Sequence, residues 1–509
     1  MRSYRHRLVL HQLDLRLGAM SELDQLTSWH SDWTSVRAVV FGLGVSGFSA
    51  ADTLAELGAK TLVVAEKADP ELVDILDVIG VRHITGEAAM GVPRDVVEFK
   101  PQVIITSPGI KPENPLLVWA AENDVAIWVD IDLAWRLRDK TERVAQWFTV
   151  TGTNGKTTTV QLLTAMLNQG GIKAEACGNI GKPILDAIRD PEGFDALVVE
   201  LSSFQLHYLG DIYPFSSAVL NIADDHLDWH GGFEAYKATK AKIYENTLAA
   251  CVYNCMDKST EAMVEDADVI EGARAIGFTL GIPSRSQVGF VEDILCDRAY
   301  LDDRANNALE LATLEDLSQI GVLTPHLMAN AAAAAALARS AGVAPEEIRE
   351  AIKNFRLDSH RIELVAEANE IRWIDDSKAT NPHAANASLA SFDRVVWVVG
   401  GLLKGVDISP LVEKHRDKLV AAIVIGKERT AVLEALAKHA ANVTVVEITT
   451  DENADVMNQV AQAAVGLASA GDVVLLAPAA ASMDQFVDYA DRGTSFAVAA
   501  RAVIGATNG

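Results

Sequence analysis

The residues best able to do chemistry lie in one stretch, Gly152-Thr153-Asn154-Gly155-Lys156-Thr157-Thr158. An apolar run from Trp147 to Val150 reads as a buried strand ending at a glycine, and Val160 to Leu167 continues with a helical pattern. Strand, glycine loop, Gly-Lys-Thr and helix make a phosphate cradle. Backbone N–H groups and the positive helix N-terminus receive phosphates, Lys156 reaches the β and γ oxygens, and the Thr157 hydroxyl can sit on Mg²⁺. The general pattern G-x-x-x-x-G-K-[ST] has glycine where this chain has Val150, so a chance Gly-Lys-Thr at a helix start is the competing reading. The context on both sides favours an ATP site.

Other candidates sit where strands should end. The run Ala196 to Glu200 delivers a carboxylate at the end of a buried strand, where a nucleotide-bound Mg²⁺ needs a hard oxygen ligand. Ala218 to Ile222 leads into Asp224, Asp225, His226 and Asp228. A lone histidine is more often structural; among carboxylates at a strand end, a functional role is an even match for the structural one. A helix expected over Phe233 to Leu248 carries Lys237, Lys240 and Lys242, and periodicity separates none of them from a solvated face.

These groups need sheets to hold them. Val36 to Phe41 reads as a strand, followed by Gly42-Leu-Gly44-Val-Ser-Gly47, a helix to Leu57, and a second strand, Thr61 to Ala65, ending at Glu66. Taken alone this G-x-G-x-x-G unit says NAD, and the same turn serves any phosphate ligand at a helix N-terminus. Val103 to Gly109 ends a third strand in Ser107-Pro108-Gly109, which is either a ligand edge or a mere turn. Residues 270–325 read as a small hairpin excursion, and Met328 to Ala341 as a closely packed alanine-rich helix. A last α/β block has strands at Ile371 to Ile374, Val395 to Val399, Ala421 to Ile425, Val443 to Ile448 and Val473 to Ala477. Three of its strand ends carry polar clusters: Asp375 to Asn381, Gly400 to Gly405, and Pro478 to Phe486.

Composition narrows the class. A chain of 509 residues, 49% hydrophobic and 22% charged, is an ordinary globular protein of about three domains. Its formal net charge of −26 argues against nucleic acid as a partner, and no apolar run is long enough to insert in a membrane. Four scattered cysteines form neither a disulfide framework nor a zinc set, which fits free thiols in the cytoplasm. Residues 1–19 differ from the rest, with Arg2, Arg5, Arg7 and Arg16 against the single acid Asp14, and read as an extension outside the fold.

The motifs together resemble the Mur ligases, which build the peptide stem of bacterial peptidoglycan. The resemblance rests on Thr151 to Thr158, Glu200-Leu-Ser-Ser-Phe-Gln-Leu206, Asp225-His-Leu-Asp228, His360-Arg361 and Asp376-Ser-Lys-Ala-Thr-Asn381, and spans roughly residues 34 to 500. In that family the loop has the T-G-T-N-G-K-T form, so Val150 is no defect. It implies an α/β protein of three domains: a Rossmann-like UDP-sugar domain (20–138), a central P-loop ATPase-like domain (139–357) and a Rossmann-like amino-acid domain (358–509). Gly42 to Gly47 with Ser107 to Ile110, the string Asp376 to Pro382, and Ala481 to Phe486 with Arg492-Gly493 resemble the branch that joins D-glutamate to UDP-N-acetylmuramoyl-L-alanine. By the same resemblance Val45, Ser46, Glu66, Lys67, Ser107, Pro108 and Gly109 line the UDP-sugar site. Gly152 to Thr158, Asn179, Asn330, Arg361, Asp376 and Lys378 bind ATP, with Lys156, His226 and Lys240 catalytic. Two Mg²⁺ ions fall to Thr157 and Glu200, and to His226 with a carbamate on Lys240. Thr380, Lys404, Ser482 and Tyr489 take D-glutamate. A monomer is expected. Two departures stand out: His326-Leu327 where the family commonly has His-Asn, and Tyr489 where it can have phenylalanine.

Rival readings are an NAD-dependent oxidoreductase, which leaves Gly155-Lys156-Thr157 unused, a folate polyglutamating ligase, and a nucleotide-sensing module without catalysis. Because residues 1–19 precede the first strand and differ in charge from the rest, a chain starting at Met20 should melt at the same temperature with unchanged activity. A fall of several degrees in thermal denaturation would show that they pack on the fold.

Overall fold

A computed structural model describes residues 22–450 and 453–507, so the expectation for residues 1–19 lies outside the described residues. The chain builds three sheets. The first contains β1 (Arg37–Leu43), β2 (Lys60–Ala68), β3 (Arg82–Thr85), β4 (Val103–Thr106) and β5 (Ala126–Trp128) in the order β3-β2-β1-β4-β5. All four pairings are parallel, and Ala38 to Phe41 is buried, as a strand covered on both faces must be. Helix α1 (Val45–Glu56) leaves β1 directly. Strand order reverses beside β1, which places a crevice at the carboxyl ends of β1, β2 and β4.

The second sheet has nine strands: β6 (Gln146–Thr151), β7 (Ala174–Gly178), β8 (Ala196–Glu200), β9 (Ser216–Val219), β10 (Ala250–Asn254), β11 (Arg274–Phe278), β12 (Gln287–Val291), β13 (Ile294–Asp297) and β14 (Leu309–Thr313). Their order is β14-β13-β12-β11-β10-β9-β6-β8-β7. The expected excursion over 270–325 is no separate hairpin: β12 joins β11 in parallel, and β13 and β14 continue the same sheet antiparallel.

Helix α2 (Lys156–Gln169) starts at the glycine loop, and α3 (Phe233–Ala241) ends well before Leu248. After a short 3₁₀ turn at Lys242–Tyr244, Asn246 takes a left-handed φ of 57° and breaks the helix. The break sends Tyr244 inward, where its hydroxyl donates to the Val252 carbonyl at 2.7 Å. In α4 (Pro325–Ser340), Ala331 to Ala336 are fully buried, small side chains that let the helix lie close against α2.

The third sheet contains β15 (Glu363–Ala368), β16 (Ile371–Asp375), β17 (Val395–Gly400), β18 (Leu419–Ile425), β19 (Thr444–Glu447) and β20 (Val473–Leu476), ordered β15-β16-β20-β17-β18-β19. Sequence reading overlooked β15, whose outward face includes the half-exposed Leu364. It pairs with β16 through Asn369 and Glu370, which have φ of 52° and 61°, as a tight two-residue hairpin turn requires. Along β17, Val395, Trp397 and Val399 pack into one buried layer, Val396 and Val398 into the other. Helix α5 (Pro382–Ala390) is capped by the Asn381 side chain, which accepts from Ala384 N at 2.8 Å. Helix α6 (Tyr489–Thr507) closes the described chain.

Two compact units emerge. One holds the chain up to 146 with 177–197 and 204–212; the other holds 147–176, 198–203 and the chain from 213 on. Among the described residues no helix is long and apolar enough to cross a membrane.

Trp397 is fully buried and its indole N–H donates to the Ala477 carbonyl at 2.7 Å, joining β17 to the turn after β20. Trp397→Ala should destabilise this sheet by about 3–5 kcal/mol, visible as a lower midpoint in urea denaturation.

Candidate active site

The loop between β6 and α2 is held open from below. Thr153 N donates to the Asn221 carbonyl at 2.9 Å, Asn154 N donates to Asn221 Oδ1 at 2.9 Å, and Asn221 Nδ2 returns a bond to the Asn154 carbonyl at 3.0 Å. Asn221 cannot do this from inside a strand, which is why β9 stops at Val219 and not at Ile222. The Thr153 hydroxyl joins Tyr236 Oη at 2.9 Å and the Ala223 carbonyl at 3.2 Å. Gly155 takes φ of 85°, and a Cβ there would collide with Asn330 Oδ1, so loop and α4 meet closely only because this residue is glycine.

The cations and their oxygen partners come together around Gly152. Lys156 Nζ donates to the carbonyls of Gly152 (2.9 Å) and Thr153 (3.0 Å), and Thr157 Oγ1 donates to Glu200 Oε2 at 2.9 Å. The buried Lys240 donates to Thr151 Oγ1 at 3.1 Å and to the same Gly152 carbonyl at 3.0 Å. Lys242, by contrast, is exposed. Burial first, and then the nearby Lys156 ammonium, push the Lys240 amine well below the usual lysine range, so its neutral form is favoured. His226 caps the short helix after β9 with φ of 52°, and its Nε2 stands 3.7 Å from Asp225 Oδ1. Burial lowers its pKa; Asp225 opposes this, while Lys404, Lys156 and Lys240 add to it.

These donors answer differently to a cation. Thr157 Oγ1 and the buried Glu200 carboxylate are paired hard oxygens, the set Mg²⁺ prefers, and neutral His226 has a lone pair to offer. An ammonium at Lys240 has none. The second ion fits only if that amine has become an oxygen ligand.

Beside the loop lies a cavity of about 390 Å³. Apolar walls from Leu220, Ile222 and Phe278 are joined by Asn254, Asp257 and Asn330, so the lining is apolar and polar in similar measure. His326 lines it too, and burial lowers its pKa to about 4, while Leu327 is buried. The departure from His-Asn therefore leaves the histidine in the cavity wall.

The loops after β16, β17 and β20 meet at the switch point of the third sheet. Ala479 N donates to the Ala379 carbonyl at 3.0 Å, and Leu402 and Ala481 exchange bonds of 2.9 and 3.0 Å. Thr380, Lys404 and Ser482 thus come from three adjacent strand ends, Lys404 in a left-handed conformation with φ of 54°. The Asp376 carboxyl accepts from Ser388 Oγ and from Ile362 N (3.3 Å), and burial raises its pKa to about 6 against the opposing Arg361. Burial, with Arg361 adding to it, lowers Lys378 to about 8; its ammonium stands 3.8 Å from the centroid of the Tyr489 ring. Asn154 ties these loops to the phosphate loop through His383 Nδ1 (2.9 Å) and Asn381 Nδ2 (3.2 Å).

In the first unit, Glu66 and Lys67 line a cleft of about 570 Å³ with Phe41, Ile110, Lys111 and Asn114. Ser107 stands behind it: its N–H donates to the Phe41 carbonyl at 2.8 Å, and a Cβ on Gly42 would strike its hydroxyl. Pro108 and Gly109 complete the turn, with Ile110 N on the Ser107 carbonyl at 3.1 Å. Val45 is exposed at the start of α1, and Ser46 hydrogen-bonds the buried Asp130. Asn179, just after β7, belongs to this first unit. Sequence reading did not find Asn221, Tyr236, Asp257, His383 or Lys111; the only signal available was their position just after a strand or on a helix facing one.

Three family models match: a MurD-like N-terminal Mur ligase domain over residues 36–129, the Mur ligase middle domain over 150–338, and the Mur ligase glutamate ligase domain over 360–480. Among curated proteins, the UDP-N-acetylmuramoylalanine–D-glutamate ligase of Leifsonia xyli is 54% identical over 95% of this chain and 96% of its own. The protein of that name from Streptomyces avermitilis is 48% identical over 92% of this chain and 99% of its own. Among solved structures, the MurF ligase of Thermotoga maritima in complex with ADP has a TM-score of 0.55 at 17% identity, covering 96% of this chain and 100% of that one. The UDP-N-acetylmuramate–alanine ligase of the same organism has a TM-score of 0.54 at 17% identity, covering 92% and 100%. These structures share the fold.

His360 gives a prediction. Its Nδ1 stands 2.6 Å from Oδ2 of the fully buried Asp375, and that hydrogen bond, ahead of the opposing burial, raises its pKa above 6.5. A raised histidine stabilises the fold fully below its unfolded pKa, and the contribution is lost as pH climbs through the folded value. His360→Gln should therefore melt below the parent at pH 5.5 and approach it at pH 8.5. Parallel melting curves across that range would refute the ion pair.

Proposed function

This chain belongs to the Mur ligase family, and we propose that it is the member that uses ATP to add D-glutamate to UDP-N-acetylmuramoyl-L-alanine in peptidoglycan precursor synthesis. The observation that carries the reading is the extent of the match to ligases of that name, 54% identity across 95% of the chain. The motif-bearing loops of the second unit support it, because they converge on one phosphate loop. We take 20–138, 139–357 and 358–509 as the three domains, the protein as a monomer, and its location as the cytoplasm, which the free cysteines favour.

The residues divide the work. The substrate carboxylate attacks the γ-phosphate of ATP, giving an acyl phosphate and ADP; the D-glutamate amine then attacks the acyl carbon and expels phosphate. Phosphate oxygens take the place of the Gly152 and Thr153 carbonyls as partners of Lys156. Arg361 and Lys378 face the same charge from the loops of the third sheet. Thr157 and Glu200 would hold one Mg²⁺, and His226 with carbamylated Lys240 a second; bound there, the ions neutralise developing charge on the transferred phosphoryl group. Burial that pushes the Lys240 amine well below the usual lysine range supports the carbamate, since only the free amine adds CO₂, and the resulting anion is balanced by Lys156. Asn330 and the cavity beside the loop suit the nucleotide base. Thr380, Lys404 and Ser482 offer two hydroxyls and a cation to the two carboxylates of glutamate. Glu66, Lys67, Ser107, Pro108 and Gly109 with Val45 and Ser46 frame the UDP end, and Asn179 stays assigned to the nucleotide by resemblance alone.

Phosphate release with UDP-N-acetylmuramoyl-L-alanine should require D-glutamate and be negligible with L-glutamate, L-alanine, L-lysine or meso-diaminopimelate; comparable turnover with any of these overturns the assignment. Lys240→Ala should lose about 10²–10³ in kcat while still binding the UDP-sugar, with partial rescue by a short-chain carboxylic acid that fails for Lys240→Arg. Lys237→Ala and Lys242→Ala serve as controls. Equal losses in all three, or near-normal turnover of Lys240→Ala, would remove the carbamate.

A further inference from the structure

Lys378 carries a cation into the site with little to hold it. Its backbone N–H donates to the His360 carbonyl at 3.3 Å, which anchors the main chain only. Among the described residues its ammonium has no ion-pair partner and donates no hydrogen bond, yet it lies within electrostatic reach of Arg361 and Lys156, which repel it, and of Glu200 and Asp358, which attract it. The one attractive contact of geometric definition is the face of the Tyr489 ring, 3.8 Å from centroid to Nζ. A desolvated ammonium at that distance over an aromatic face is held by the ring quadrupole. Tyr489 is itself well placed: it opens α6, and Arg492, one turn on, is buried and donates to Ser377 Oγ (2.9 Å), the Ser377 carbonyl (2.8 Å) and the Ala480 carbonyl (3.1 Å). The start of α6 is thus bolted to the residue preceding Lys378.

We infer that Tyr489 is a positioning residue for phosphoryl transfer: its ring face holds the Lys378 ammonium toward the phosphate loop, as a second cation beside Lys156. This rests on the ligase reading above. It makes the ring, not the phenol hydroxyl, the part of Tyr489 that works in phosphoryl transfer.

The test uses the full chain with Tyr489→Phe, Tyr489→Leu, Tyr489→Gln, Lys378→Ala and the double variant Lys378→Ala/Tyr489→Leu. Loss of the ring in Tyr489→Leu should lower kcat about 10-fold with the KM for D-glutamate unchanged, Tyr489→Gln should match it, and Tyr489→Phe should restore most of the rate. On the Lys378→Ala background the leucine substitution should add nothing. Affinity for a non-hydrolysable ATP analogue, measured by titration, should fall in the same non-additive pattern, so the inference is read even if turnover with the named substrates fails. Failure of the parent chain to release phosphate with those substrates would instead sink the ligase reading. The inference is overturned if the leucine and alanine effects multiply in the titration, if Tyr489→Leu raises the KM for D-glutamate at unchanged kcat, or if Tyr489→Phe is as damaging as Tyr489→Leu.

Discussion

Two ammonium groups share one carbonyl. Lys156 and the buried Lys240 both donate to the Gly152 oxygen, at 2.9 and 3.0 Å. Like charges this close, one of them buried, cannot both remain ionised cheaply. Burial and the neighbouring cation push the Lys240 amine well below the usual lysine range, and the surroundings hold it in place: Thr151 Oγ1 accepts from that amine, Thr153 is fixed by Tyr236 from the same helix, and Glu200 stands at Thr157. The loop is shaped by the need to place cations where anions will come.

A second constraint explains how loops from two sheets meet. Asn154 hydrogen-bonds both Asn221 below it and the Asn381/His383 pair at the start of α5. Two amides and an imidazole, all short and planar, make this clasp without adding net charge to an already crowded site. The adjoining backbone is also unusual. His226, His360, Ile362, Lys404 and Ala479 all take left-handed φ values, a conformation that costs free energy outside glycine and persists only where neighbouring contacts enforce it. Each is next to or within a polar cluster, so the strain sits where side chains must be aimed.

Much of this was legible in the sequence for physical reasons. Central parallel strands are continuous apolar runs, so β1, β6, β8, β17 and β20 stand out, and the glycine loop declares its chemistry by spacing. Lys240 was invisible to periodicity because α3 is short and Lys237, Lys240 and Lys242, in and just after it, look alike; only the packed structure shows that Lys240 is buried and Lys242 is not. Strand β15 was missed because its alternation is diluted by an exposed outer face, and the end of α3 was overrun because a single left-handed asparagine carries the break. The clasp of Asn221 and Asn381 is a long-range pairing with no local signature at all.

The charge balance ties these observations together. A chain of net charge −26 must bind highly anionic ligands, and Lys156, Lys240, Lys378, Arg361 and Lys404 all lie in the second unit. Burial first, and then the neighbouring cations, lower the pKa of the most buried members, Lys378 to about 8 and Lys240 well below the usual lysine range. The ligand-free site thus holds mutually repelling cations, partly neutralised by shedding protons and partly soothed by carbonyls and an aromatic face. An incoming polyphosphate offsets that repulsion and raises the pKa of Lys378, so that cation is fully developed only when the phosphate is there to use it.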